Sequence, residues 1–209
     1  MKQYAIIFQM PRQISTAFSD LVLALVSYFC VSRTYTSSLS ATVGFFVIAV
    51  AASIGVFKFS SSNPSPALVE YHTFLSWMSS SLAVPYIAAA YHRQEESVFI
   101  STVHLATGFG LVACHKFLSE STKAIATEAI SSYAVISVLA LSLLKGNHGG
   151  FLGAACYIVG GALIGTKGSL LGIPRVDLFH YLIAMANYAL MTGLYKIPSS
   201  VIFRPPIKQ

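Results

Sequence analysis

Pro174-Arg-Val-Asp-Leu-Phe-His-Tyr-Leu-Ile-Ala-Met-Ala-Asn-Tyr-Ala-Leu-Met-Thr-Gly-Leu-Tyr195 is long enough to cross a bilayer, yet it carries Asp177, His180 and Asn187. On a helix, residues 180, 184, 187 and 191 fall on one face, and 177 lies one turn before 180. The stripe reads Asp177, His180, Ala184, Asn187, Met191, while Leu178, Ile183, Leu190 and Leu194 point elsewhere. Unsatisfied polar groups in hydrocarbon cost several kcal/mol each, so the stripe must face other helices. The remaining chain has to supply them.

Its composition says that it can. The 209 residues are 55% hydrophobic and only 10% charged, with a mean hydropathy of +0.69. A soluble domain needs about 25% charged residues to wet its surface. Apolar runs recur along the whole length with short gaps between them, which leaves no room for a separate soluble domain. The expectation is an all-α, polytopic transmembrane helix bundle, a single domain over 1–209, integral to a membrane and multi-pass.

The net charge of +6 does not point to nucleic acid. Arg33, Lys58, Arg93, Lys145 and Lys196 are spread singly over loops and helix ends, where they anchor spans at lipid headgroups. No basic cluster is present, so the expected partners are the bilayer and other membrane proteins. Cys30, Cys114 and Cys156 each lie inside an apolar run, odd in number, and read as small core residues rather than a disulfide framework. The N-terminal stretch up to Pro11 lacks the long apolar core of a signal peptide and reads as an interfacial lead-in.

Seven spans with short connections account for the chain. Span 1 is Ile14 to Ser32, span 2 Leu39 to Phe57, and span 3 Ala67 to Tyr91 after the Ser60–Pro66 loop. Span 4 is Val98 to Phe117, span 5 Ser121 to Leu144, span 6 Phe151 to Thr166, and span 7 the quoted stretch. Pro85 predicts a kink in span 3. Gly149, Gly153, Gly161 and Gly165, at four-residue spacing, predict close packing of span 6. An odd count puts the termini on opposite sides. The tail from Lys196 reads as irregular. With seven basic residues on one face and six on the other, the positive-inside rule gives no orientation.

Asp20, Glu70, His72, His104, Asp177, His180 and Asn187 are the candidate polar centre, which spans 1, 3, 4 and 7 would build while spans 2 and 5 are more lipid-facing. Ionisable groups inside a membrane are costly and default to a functional hypothesis. Each also has a structural reading. Asp177 and Glu70 complement helix N-termini, and Asn187 and the span 3 serines hold helices together.

Two kinds of function fit. The first is a non-catalytic membrane component that interacts with partners or lipid, or offers a path for a proton or small solute. The second is a metal-dependent hydrolase of a lipid ester or amide, with His72, His104 and His180 as zinc ligands and Asp20 or Asp177 behind them. The architecture invites comparison with the alkaline-ceramidase and progestin-receptor-like superfamily of seven-helix lipid hydrolases. His72-Thr-Phe-Leu-Ser76 resembles that group's His-x-x-Leu-Ser phrase, but on a different helix. Phe57-Lys58 stands where Phe-His is wanted, and Val176 stands four residues before His180. The comparison covers architecture and carries no residues over.

Overall fold

The structure, a computed structural model, describes residues 13–195. The N-terminal lead-in and the tail beyond Tyr195, with Lys2, Arg12, Lys196, Arg204 and Lys208, lie outside the described residues. Within them the chain forms seven helices. They are α1 (Ile14–Thr34), α2 (Leu39–Ser60), α3 (residues 66–94), α4 (Val98–Ala113), α5 (Glu120–Lys145), α6 (His148–Ile164) and α7 (Arg175–Leu194). A short 3-10 turn, His115–Phe117, follows α4. Between α6 and α7 a two-residue hairpin pairs Ser169–Leu170 with Ile173–Pro174.

The helix starts are written in the sequence. Ser38, Ser65, Ser119 and Asn147 each accept a backbone N–H three residues ahead, which satisfies one donor that a helix N-terminus leaves open. Pro66 occupies the first turn of α3, where its missing N–H is harmless. Gly146 ends α5 with φ of 65°, a left-handed conformation that suits glycine.

Helix α1 lies between α2 and α7, and α7 packs in turn on α6. Helix α3 runs through the middle, against α2, α4 and α5. The core gathers Phe45, Ile48, Ile87, Ala88, Tyr91, Ala184 and Leu190. Outside, the helices carry exposed Phe18, Leu25, Phe99, Phe109, Ile136, Leu144 and Leu163. Buried polar groups under an apolar exterior are what lipid, not water, would solvate. Helices α1, α2 and α5 are long and apolar enough to cross a membrane, and α4 and α6 are shorter apolar helices.

Four expectations change. Span 2 is not mainly outward-facing, although Leu39, Phe46 and Phe57 are exposed. Its even apolar character, with Gly44 and a run of alanines, lets α2 pack on both α1 and α3, and Phe45, Ile48, Ala49 and Ala52 are buried. Span 5 does keep most of its surface exposed. Pro85 marks something more specific than a kink: residues Ser79–Ala83 just before it form a π-turn, in which Val84 N–H bonds the Ser79 carbonyl. A widened turn makes room for a proline ring.

The span 6 glycines divide. Gly149 and Gly153 sit where a Cβ would press on Gly193, Ala189 and Leu190 of α7, but Gly161 meets nothing within 4 Å and Gly165 closes a second π-turn, Val159–Ile164. Cys114 is exposed at the end of α4, while Cys30 and Cys156 are buried as expected, and all three are free.

Candidate functional site

Antiparallel connection brings the start of α1, the end of α2, the start of α3 and the start of α7 to one end of the bundle. That end holds most of the candidate polar residues. Asp20 and Asp177 are each 2% exposed. Ser19 Oγ lies 3.0 Å from His180 Nδ1 and 3.4 Å from Asp177 Oδ1, and Asp20 Oδ1 lies 3.4 Å from the same His180 nitrogen. Ser19 also donates to the Thr16 carbonyl at 3.0 Å.

Ser19 has one proton and three acceptors in reach, the Thr16 carbonyl and His180 Nδ1, both at 3.0 Å, and Asp177 Oδ1 at 3.4 Å. The protonated nitrogen of His180 follows from which of them takes it, and the ring lines a cavity.

A second arrangement flanks the first. Lys58 Nζ is 3.1 Å from His72 Nδ1, and His72 Nε2 is 3.4 Å from Ser76 Oγ. An ammonium has no lone pair, so His72 accepts at Nδ1 and carries its proton on Nε2. Lys58 also lies 4.6 Å from the centre of the Phe59 ring.

The cavity between these groups has a volume of about 360 Å³. Its polar end is Asp20, His72, Ser76 and His180, and its walls include Leu23, Ile48, Ala51, Ala52 and Ile183. A second cavity of about 530 Å³ shares Ser80, Val84, Tyr157 and Phe179 with it and extends between α5 and α6, along Val135, Ile136 and Ile158. Both π-turns line this space, Ser79 and Ser80 from one and Gly161 and Ala162 from the other. π-turns recur at functional sites because they re-aim side chains and loosen backbone pairing.

The other candidates lie elsewhere. Asn187 is buried two turns deeper, where its amide donates to Ser27 Oγ at 3.0 Å and its oxygen accepts from Tyr157 at 2.8 Å. Glu70 is exposed in the first turns of α3, outside the centre, because it lies on the far side of the helix from His72. His104 belongs to another group. It stacks between His92 and Tyr133 at 5.3 and 4.8 Å, and its Nε2 is 3.0 Å from Ser137 Oγ. Span 4 thus adds nothing to the Asp20–His180 centre.

The proposed zinc ligands His72, His104 and His180 are consequently split between two groups. Among the described residues no set of three or more His, Cys, Asp and Glu is placed to hold a metal ion. Sequence reasoning missed Ser19, which had only its position beside Asp20 to mark it. It also read Lys58 as a headgroup anchor alone. His92, which is not among the candidates, is 5% exposed.

The chain is similar to a human transmembrane protein. Transmembrane protein 276 of Homo sapiens is 24% identical over 184 residues, which cover 87% of this chain and 92% of that protein. No protein-family profile matches the chain, and no solved structure does. The resemblance runs through most of the length of both chains.

Proposed function

We propose that this is a multi-pass integral membrane protein, one domain over 1–209, whose seven helices all cross the bilayer and which holds an amphipathic small molecule of lipid type in its interior. The observation that carries the reading is the cavity of about 360 Å³ with Asp20, His72 and His180 at one end and apolar walls beyond. Binding sites for amphiphiles have this form: apolar lining with a few convergent polar groups that fix orientation. The adjoining space along α5 and α6 offers a place for an acyl chain.

A solute path across the membrane is less well supported. Between the Asp20–His180 level and the Ser27–Asn187 level, Leu23, Ala24, Ile183 and Ala184 form a buried apolar layer. A zinc hydrolase is less well supported too, since its ligand histidines sit in two groups. The seven-span topology draws support from the antiparallel order of the helices, which sets Gln13 and Tyr195 at opposite ends of the bundle.

Two measurements test this. Protein purified in mild detergent is examined for retained amphiphile by native mass spectrometry, beside an Ala52→Phe variant that fills the wall. Retention by the wild type and its loss from the variant is expected. A wild type carrying no amphiphile, or a variant carrying as much, would defeat the binding reading. Tags at the two termini should show opposite protease accessibility in sealed membranes, and equal accessibility would remove the odd span count.

A further inference from the structure

We infer that the amphiphile held in this cavity is a single-chain primary amine, its ammonium seated on the Asp20 carboxylate and its alkyl chain lying along the apolar walls. The inference rests on the lipid-binding reading above and adds the chemistry of the headgroup.

Charge supplies the first argument. Among the described residues that line the two adjoining cavities, the charged ones are Asp20 in the first and Glu128 in the second, and neither lining includes a lysine or arginine. Asp20 is 2% exposed, its Oδ1 lies 3.4 Å from His180 Nδ1, and its Oδ2 accepts no hydrogen bond. Lys58 stands outside the lining, beside His72 and Phe59, and Asp20 feels its charge together with that of Asp177. One ammonium thus offsets one of two buried carboxylates. Arg175, the cation at the start of α7, bonds the Ile164 carbonyl instead. A buried carboxylate short of both positive charge and hydrogen bonds is costly, and a cationic group entering the cavity relieves both shortages.

The hydroxyls supply the second. Ser79 donates to the Leu75 carbonyl at 2.9 Å, Ser131 to the Thr127 carbonyl at 2.7 Å, and Tyr157 to Asn187 Oδ1 at 2.8 Å. Each lines a cavity with its one proton already engaged, so it offers a ligand only the acceptor side of its oxygen. With the two carboxylates, the lining carries a surplus of acceptors. The complementary headgroup brings positive charge and several N–H donors. A primary ammonium has three, an alcohol has a single O–H, and a quaternary ammonium has no donor.

Shape supplies the third. A bare metal ion does not suit the site, because no set of three or more His, Cys, Asp and Glu converges among the described residues, and the walls of Leu23, Ile48 and Ile183 would be left without contact. Asp20 lies in the second turn of α1, near the end of the bundle. A headgroup there stays close to the membrane surface, while its chain runs inward past Leu23 and Ile48 toward Tyr157 and Phe179. From there the second cavity continues between α5 and α6, along Val135 and Ile158.

The test uses the full chain in a neutral sugar detergent near neutral pH. Binding of oleylamine, oleyltrimethylammonium, oleyl alcohol and oleate, which share one chain, is read by thermal shift and by displacement of a fluorescent long-chain alcohol. Oleylamine should bind most tightly, the trimethyl compound next, and oleate most weakly. Asp20→Asn, which keeps the side-chain shape, should lower the affinity for oleylamine about tenfold or more, the weight of one charge-assisted bond, and leave the alcohol unaffected. Glu128→Gln should cost oleylamine less than Asp20→Asn does. Should Asp20→Asn fail to fold, the order of the four ligands on the wild type decides the matter alone.

Oleyl alcohol or oleate binding as tightly as oleylamine, or a folded Asp20→Asn without effect, would overturn the cationic headgroup while leaving the cavity a lipid site. Equal binding of oleylamine and its trimethyl counterpart would overturn the N–H contacts. A larger loss from Glu128→Gln than from Asp20→Asn would overturn the seat on Asp20. No binding by any of the four, together with no amphiphile retained on purification, would mean the lipid-site reading itself had failed.

Discussion

Gly55 has no side chain at the point where Asp20 places its carboxylate. A Cβ on residue 55 would overlap Asp20 Oδ2, which is buried and accepts no hydrogen bond. The two helices are thus fitted at that level by the absence of one methyl group. Gly55→Ala should destabilise the bundle by about 1–3 kcal/mol, the usual cost of forcing an atom into a packed interior. Adding Asp20→Ser should recover most of the loss in thermal unfolding. If the double variant is no better than Gly55→Ala alone, the overlap is not with that carboxylate.

Asn187 joins three helices, bonding Ser27 of α1 and Tyr157 of α6 from its place on α7. Asn187→Leu leaves both partners buried without a bond. Interhelical hydrogen bonds in membranes average roughly 0.6 kcal/mol, so the loss should be about 1–2 kcal/mol. Tyr157→Phe should cost less than Asn187→Leu, and the reverse ranking in a melting series would contradict this assignment.

Two glycines should respond in opposite senses. A Cβ at Gly149 would lie 2.6 Å from the Gly193 nitrogen, backbone that cannot move aside, whereas Gly110 meets nothing within 4 Å. Gly149→Leu should prevent α6 and α7 from closing and cost about 3 kcal/mol or more, toward the upper end of overpacking. Gly110→Ala should gain about 0.5–1 kcal/mol from helix propensity. Melting temperatures of the two variants would show it directly.

His92 and His104 offer another paired comparison. Both His92 ring nitrogens are buried without partners, and so is His104 Nδ1. Ser137 donates to the Ala134 carbonyl at 2.9 Å, so it accepts from His104 Nε2–H. Replacing an unpartnered polar ring by an apolar one of similar shape is neutral or favourable, while removing one half of a buried bond is not. His92→Phe should leave stability equal or higher, and His104→Phe should lower it by about 1 kcal/mol or more. A loss on His92→Phe would show that those nitrogens have a partner in the membrane.

The stripe on α7 was legible because polar residues spaced three and four apart in an apolar span have one possible placement. Asp177, Ala184, Asn187 and Met191 are all buried, as the pattern required. What they meet was not legible, because the sequence does not say which helices stand opposite. Nothing in the sequence marks Gly55 as the residue behind Asp20.

Span 3 misled for a geometric reason. A constant helical period puts His72, Ser76, Ser79 and Ala83 on one face. The π-turn at Ser79–Ala83 adds one residue and rotates everything beyond it, which also helps carry His92 inward. Proline 85 signalled the irregularity without giving its form.

The joining of α1 to α7 also governs how the chain is made. Ser19 meets His180 across 161 positions of sequence, and Ser27 meets Asn187 across 160. At translation rates of about 5–20 residues per second, α1 waits on the order of 8–30 s before its counterpart leaves the ribosome. During that interval Asp20 and Ser27 sit in the first-made helix with their final partners not yet synthesised. A nascent chain halted before α7 should therefore remain bound to an insertase or intramembrane chaperone, and release should coincide with the arrival of His180.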